Sequence, residues 1–199
     1  MSPSMVASTG TRARIVAAAD RLFYESGFEN TSFADIADVV SISRGNFYHH
    51  FRTKDDLLHA VLDKRAADTR RMLAGWEAES DDPRRRLELF IEIVQRNRGD
   101  IERFGCPVGG LVVELAKLNH GAAPAATALL TAFADWLTLQ FAAAGCGRRA
   151  KGNAIHLLAF SQGIAVLSAG FAEQGFVDRE VSDIKSWLVT ELDKSPVEE

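Results

Sequence analysis

Two cysteines in 199 residues are too few for a disulfide framework. They stand at 106 and 146, and with His120 and His156 they lack the spacing of a metal site, so neither a metal nor a cofactor is expected. A phosphate-cradling loop, a Ser-x-x-Lys pair and a paired-acid signature are all missing, which removes the common enzyme frameworks. One enzyme reading stays open, with Cys106 as nucleophile and His120 or His156 as its base. A basic excess is missing too. The formal net charge of −4 speaks against nonspecific nucleic-acid binding. Residues 1–54 hold six Arg or Lys against five Asp or Glu, so the acidity belongs to the remainder. No apolar h-region follows the first residues, and the chain is expected in the cytoplasm, where Asn30-Thr31-Ser32 is an accidental sequon. Repeats and low-complexity runs are absent as well.

What is present fits a soluble all-helical chain, with 47% hydrophobic and 25% charged residues and a length ample for one domain and a small second one. A first helix is expected over 11–26, with Ile15, Ala18, Ala19, Leu22 and Phe23 inward and Gly27 ending it. A long helix follows over 54–79, and Asp81-Asp82-Pro83 opens another that carries Leu87, Phe90, Ile91 and Val94. Further helices fit 108–118, 122–144, 148–172 and 178–192, while 1–8 and 195–199 read as tails. The 21 residues 152–172 carry no formal charge and are long enough to span a bilayer, which leaves a membrane-tethered helical protein as an alternative. Asn153, His156, Ser161, Gln162 and Ser168 are spread around that segment, however, and favour burial between helices or subunits.

Residues 31–54 carry the most specific pattern. Phe33, Ile36, Ala37 and Val40 fall at i, i+3, i+4 and i+7, and Ser32 with Asp35 supplies a capping pair. Ser41 and Ile42 make a turn, Ser43 caps a second helix, and Phe47 and Phe51 are its buried i, i+4 pair. Arg44, Gly45, Asn46, Tyr48 and His49 are left facing outward. Arg can pair with guanine, Asn with adenine, and Tyr and His reach phosphate or sugar, while Gly45 permits close backbone approach. Thr53 caps the next helix with Asp56, placing Lys54 at its start as a phosphate clamp; Arg12 and Arg14 are close enough to touch backbone phosphate. This is a helix-turn-helix.

The order Ser-Phe-Ala-Asp-Ile-Ala, then Ile-Ser-Arg-Gly-Asn-Phe-Tyr-His-His-Phe, then Thr-Lys-Asp-Asp-Leu-Leu resembles the DNA-binding signature of the TetR family of one-component bacterial transcriptional regulators. The likeness is close over roughly residues 10–62 and loose beyond. It implies an all-α fold: a three-helix helix-turn-helix DNA-binding domain over 1–53, and a helical effector-sensing and dimerisation domain over 54–199. It also implies DNA contacts from Ser32, Phe33, Ser43, Arg44, Asn46, Tyr48, His49 and Lys54. Phe33 departs from the hydroxyl that many relatives hold there.

Two copies of so small a unit are needed to read successive major-groove faces about 34–36 Å apart, so a homodimer is expected. The last two long helices are its expected interface, through Leu157, Leu158, Phe160, Ile164, Ala165, Leu167, Phe171, Val181, Ile184, Trp187 and Leu188; the alternative is that these form the monomer core. Cys106 precedes Pro107 at a helix start, where dipole and free amides favour a thiolate, with Arg103 close in sequence. This Gly-Cys-Pro-x-Gly start resembles the subgroup of the N-ethylmaleimide-responsive, electrophile-sensing repressor, although no lysine stands at 174–176. Cys106 is then either the sensor or a small buried hydrophobe. Cys146, between two glycines, reads as exposed. A rival sensing mode is a pocket for a small apolar or aromatic molecule, lined by Phe90, Phe104, Phe133, Trp136, Phe141 and Phe160 with His156 and Gln162 as polar anchors; the alternative for these is plain core. The expected function is a repressor that releases operator DNA when its body meets an effector.

Overall fold

The computed structural model describes residues 10–171 and 173–194, and every regular element among them is helical. The expected tails at 1–8 and 195–199, and Ala172 at one expected helix end, lie outside the described residues. Helix α1, Thr11–Ser26, stops where Gly27 takes φ 88°, a conformation that side chains with a Cβ avoid. Helix α2, Phe33–Val40, opens with a reciprocal capping box between Ser32 and Asp35. Ser41 turns the chain with φ 57°, and half-buried Ile42 plugs the corner. Ser43 Oγ accepts from the Asn46 amide at 3.3 Å to start α3, Arg44–His50. A second capping box, Thr53 with Asp56, starts the 26-residue α4, Lys54–Glu79. Each such cap contributes about 1 kcal/mol, enough to fix a boundary.

Helix α5, Pro83–Arg96, begins on an Asp82 cap with proline in its first turn. A short α6, Arg98–Phe104, follows a break at Asn97 that the sequence reading did not separate from its neighbours. Then come α7, Pro107–Lys117; α8, Ala123–Ala143; a 3-10 turn, Gly147–Arg149; α9, Ala150–Phe171; and α10, Phe176–Leu192. The last helix starts two residues ahead of expectation because Phe176 and Val177 are buried anchors.

Two apolar cores hold these helices. The first joins α1, α2 and α3 to Leu57, Leu58, Val61 and Leu62 of α4, and is closed by Leu111 and Leu115 of α7 and the start of α8. The second gathers α5, α8, α9 and α10 around Leu73 and Trp76 at the far end of α4. Helix α4 therefore runs unbroken, about 39 Å, from one core into the other.

Two expectations are corrected by this packing. Of the side chains assigned to a dimer interface, Leu157, Ile164, Ala165, Val181, Ile184 and Leu188 are buried in the second core, and Leu158, Phe160 and Trp187 are half-buried against it. Only Leu167 and Phe171 of that set are exposed, and Ile155, Val166 (70% exposed) and Val189 join them on the outside. Helix α9 is apolar on two faces, and periodicity alone does not say which one faces inward. Helices α8 and α9 both have the length and apolarity to cross a membrane, and each buries one face in the body. Cys146, expected to be exposed, is buried at 1%, because its amide bonds back to Phe141 and folds the turn onto the core. Burial pushes its thiol pKa upward.

Candidate nucleic-acid interface and effector cavity

The outward set on α3 stands free of the core it rests on. Phe47 and Phe51 are buried, while Arg44, Gly45, Asn46, Tyr48 and His49 are exposed. Tyr48, 53% exposed, is propped edge-on by Phe33, whose half-buried ring lies 4.6 Å from Phe47 and 5.6 Å from Tyr48. Phe33 thus supports the surface from beneath. A Cβ at Gly45 would meet nothing within 4 Å, so the backbone there can be approached. Ser32 and Ser43 are exposed at the N-termini of α2 and α3, with their hydroxyls engaged as caps.

The flanking cations also make contacts within the fold. Arg14 donates to the Val40 carbonyl at 2.6 Å and closes the end of α2. Lys54 turns back from solvent, donating to the Glu29 carbonyl at 2.9 Å and lying 4.5 Å over the Phe28 ring. Arg12 lies over Phe51, and Arg52, beside α3, is exposed. Arg14 and Lys54 thus each give one donor to a carbonyl at a helix end or turn.

Residues 15–61 match the family model of bacterial regulatory proteins, tetR family. The N-terminal unit resembles that family's over this span. Among curated relatives, the chain is 30% identical over 112 residues to an uncharacterised HTH-type transcriptional regulator in the lacX 3′ region of Lactococcus lactis subsp. lactis, covering 55% of this chain and 57% of that one. It is 30% identical over 134 residues to the HTH-type transcriptional repressor DhaR of a Mycobacterium species, covering 66% and 64%. A third, the HTH-type transcriptional regulator TtgR of Pseudomonas putida, is 37% identical over 90 residues, covering 42% of this chain and 43% of that one. The chain therefore spans less than two thirds of these relatives. The whole TetR-type architecture recurs in a regulator from Legionella pneumophila, at TM-score 0.80, 19% identity and coverage of 93% and 98%. It recurs also in reduced E. coli NemR, at TM-score 0.74, 17% identity and coverage of 89% and 96%. At such identities the likeness is one of fold.

Beneath the TetR-type head lies a cavity of about 450 Å³. Of the residues expected to line a pocket, Phe90, Phe133 and Gln162 do so, and Cys106 lies in the same wall. Phe104, Trp136, Phe141, His156 and Phe160 do not. Phe104 packs on Tyr24; Trp136 packs on Trp76 and donates to Glu77 at 2.9 Å; Phe141 and His156 both meet Trp187; and Phe160 is half-buried against the body core. Trp136 and Phe141 are thus buried in helix-helix contacts, Phe104 and Phe160 are half-buried, and His156 is exposed, all of them away from the cavity. His120 lies against Phe28 and 3.4 Å from Asp55, so neither histidine offered as a base lines the cavity with Cys106.

Cys106 is the N-cap of α7, its Sγ accepting from the Gly109 amide at 3.3 Å. Arg103, expected to assist it, is stacked over Phe104. Gln162 reaches across from α9 to lie on Gly109, where a Cβ would come within 2.1 Å of its Oε1. Sequence reasoning missed the wall supplied by α1 and α4: Asp20, Tyr24, Arg65 and Thr69. Burial, followed by the negative charge of Asp100, pushes the Tyr24 phenol up to about 12, so it stays a neutral donor and hydrogen-bonds to the Gly105 carbonyl at 2.7 Å. Arg65 is buried, pairs with Asp20 at 2.6 Å, and donates to the Pro107 carbonyl. A signal existed for it. Arg65 falls in register with Leu58, Leu62, Thr69, Leu73 and Trp76, and a charge in a buried stripe announces an internal partner.

Proposed function

We propose that this chain is a DNA-binding transcriptional regulator that acts as a cytoplasmic homodimer and releases its operator when the cavity beside Cys106 is occupied or the cysteine is modified. The exposed Arg44, Gly45, Asn46, Tyr48 and His49 over a buried Phe47 carry the reading, since nothing in folding requires that set on the outside. On this view the DNA-binding head is 1–53 and the sensing and dimerising body 54–199. The relatives named as HTH-type regulators and repressors support it. A second copy is the natural cover for the outer apolar face of α9, where Ile155, Val166, Leu167 and Phe171 surround exposed Ala159 and Gly170. Helices α9 and α10 then form the interface, and no membrane is needed to explain that face.

The resemblance to the electrophile-sensing subgroup, together with the N-cap position of Cys106 in a cavity wall, supports sensing through the thiol. Addition of its thiolate to an activated double bond forms an S–C bond, and water supplies the proton to the neighbouring carbon. The rival mode is a small, largely apolar molecule between Phe90, Phe133, Met72 and Leu158, held by the Gln162 amide.

Fluorescence anisotropy on labelled duplex from the chain's own upstream region, at fixed salt, tests both modes before and after stoichiometric N-ethylmaleimide. Wild type is expected to bind and then release, and Cys106→Ser to stay bound. If both stay bound, thiol sensing is wrong and the apolar-ligand mode stands. If neither binds, the regulator reading is wrong.

A further inference from the structure

Helix α7 belongs to both halves of the molecule. Its first turn, Pro107 and Val108 with the Cys106 cap, is cavity wall, whereas Leu111 and Leu115 are buried in the core of the DNA-binding head. Between them Glu114 reaches back to the turn joining α1 to α2. One carboxylate oxygen accepts from the Phe28 amide at 2.9 Å and the other from the Glu29 amide at 2.8 Å. Gly27 makes room for this clamp, since a Cβ there would stand 3.2 Å from Glu114 Oε1. Lys54 holds the same turn from its other side, and the turn leads directly to Ser32, the cap of α2.

We infer that Glu114 is a positioning residue for regulated DNA binding, carrying displacement of the cavity wall at residues 106–108 to the α1–α2 turn. The inference rests on the cavity being the sensing site. An eleven-residue helix about 16 Å long moves as one body, so a shift at its start reappears at its end. Two charge-assisted bonds to successive amides are directional and short, and transmit that shift without slack. The near end is anchored as well, through Arg65 to the Pro107 carbonyl and Tyr24 to the Gly105 carbonyl. Coupling therefore runs along α7. Linkage makes it reciprocal: an operator bound at the head must alter the cavity wall.

The test uses full-length protein and a duplex that wild type selects from a random library. Cys106→Trp stands in for an occupant of the cavity. It is expected to weaken duplex binding at least 10-fold in the wild-type background and less than 3-fold in Glu114→Gln, whose amide keeps the size but can accept at only one oxygen. An equal effect in both backgrounds overturns the inference. If Cys106→Trp has no effect even in wild type, the sensing reading fails, and hydrogen exchange decides the coupling by itself. Duplex binding is expected to change exchange of residues 104–110 at least 3-fold in wild type and not in Glu114→Gln. No change in wild type, or the same change in both, overturns the coupling. Selection of no duplex at all overturns the regulator reading and this inference with it. Circular-dichroism melts of each variant confirm that the proteins compared are folded.

Discussion

Gly109 illustrates how a single atom shapes the cavity. Its missing Cβ is the space that the Gln162 amide occupies, and the obstacle to alanine there is the mobile end of a side chain. Gly109→Ala is therefore expected to change stability by less than about 1 kcal/mol in wild type, the gain in helix propensity being offset by expulsion of Gln162. In a Gln162→Ala background the same substitution is expected to stabilise by about 1 kcal/mol. Urea melts of the four proteins in this cycle check the coupling, and strict additivity would show that the two residues do not meet. Residue-level chemistry was legible where one side chain suffices, as in the caps Ser32, Ser43 and Thr53. It was not legible for Arg14 and Lys54, whose partners are carbonyls 26 and 25 positions away.

Between elements, a charged contact through Glu92 joins α5 to α10. Burial works against the Glu92 carboxylate, yet hydrogen bonds from Arg85 at 2.9 Å and Lys185 at 3.0 Å hold its pKa down at about 2, against an ordinary 4.5. A depressed carboxylate contributes stability that is present above its unfolded pKa and is lost as pH falls through the folded one. Glu92→Gln is accordingly expected to lower the melting temperature at pH 7 by about 3–8 °C. Its deficit relative to wild type should shrink as pH drops from about 4.5 toward 2. Thermal melts from pH 7 to pH 3 check this; a deficit that stays constant would place the interaction outside the titrating pair. Helix starts were read well from sequence because caps and proline are local signals. Helix α6 was missed because its start is marked by Asn97, whose side chain returns to the Ile93 carbonyl at 2.9 Å, a contact with no distinctive spacing.

At the scale of the whole molecule, the proposed dimer rests on the outer face of α9. Val166 is 70% exposed in the single chain and stands among Ile155, Leu167 and Phe171. Val166→Glu is expected to convert a particle of twice 21.8 kDa into a monomer while leaving the helical signal unchanged. Loss of the second head should weaken operator binding by about 100-fold or more, since the tethered contact becomes an independent one. Sedimentation of the variant beside wild type, followed by anisotropy, checks both effects. A variant that remains dimeric would move the interface to another face.

By itself, the sequence determined the helix-turn-helix, the reciprocal caps, the buried Phe47 and Phe51 and the polar set left outside them, because all of these are written in spacings of three and four residues. Tertiary structure alone decided which face of α9 is core, which aromatic rings fill contacts and which line the cavity, and that Cys146 is buried. It also decided that α7, formally part of the body, closes the core of the head and places Glu114 on amides 86 and 85 residues away. The reason is physical. Local signals fix the conformation of a segment, whereas a helix apolar on two sides, or a carboxylate with a long reach, finds its partner only when the remaining helices exclude the other choices.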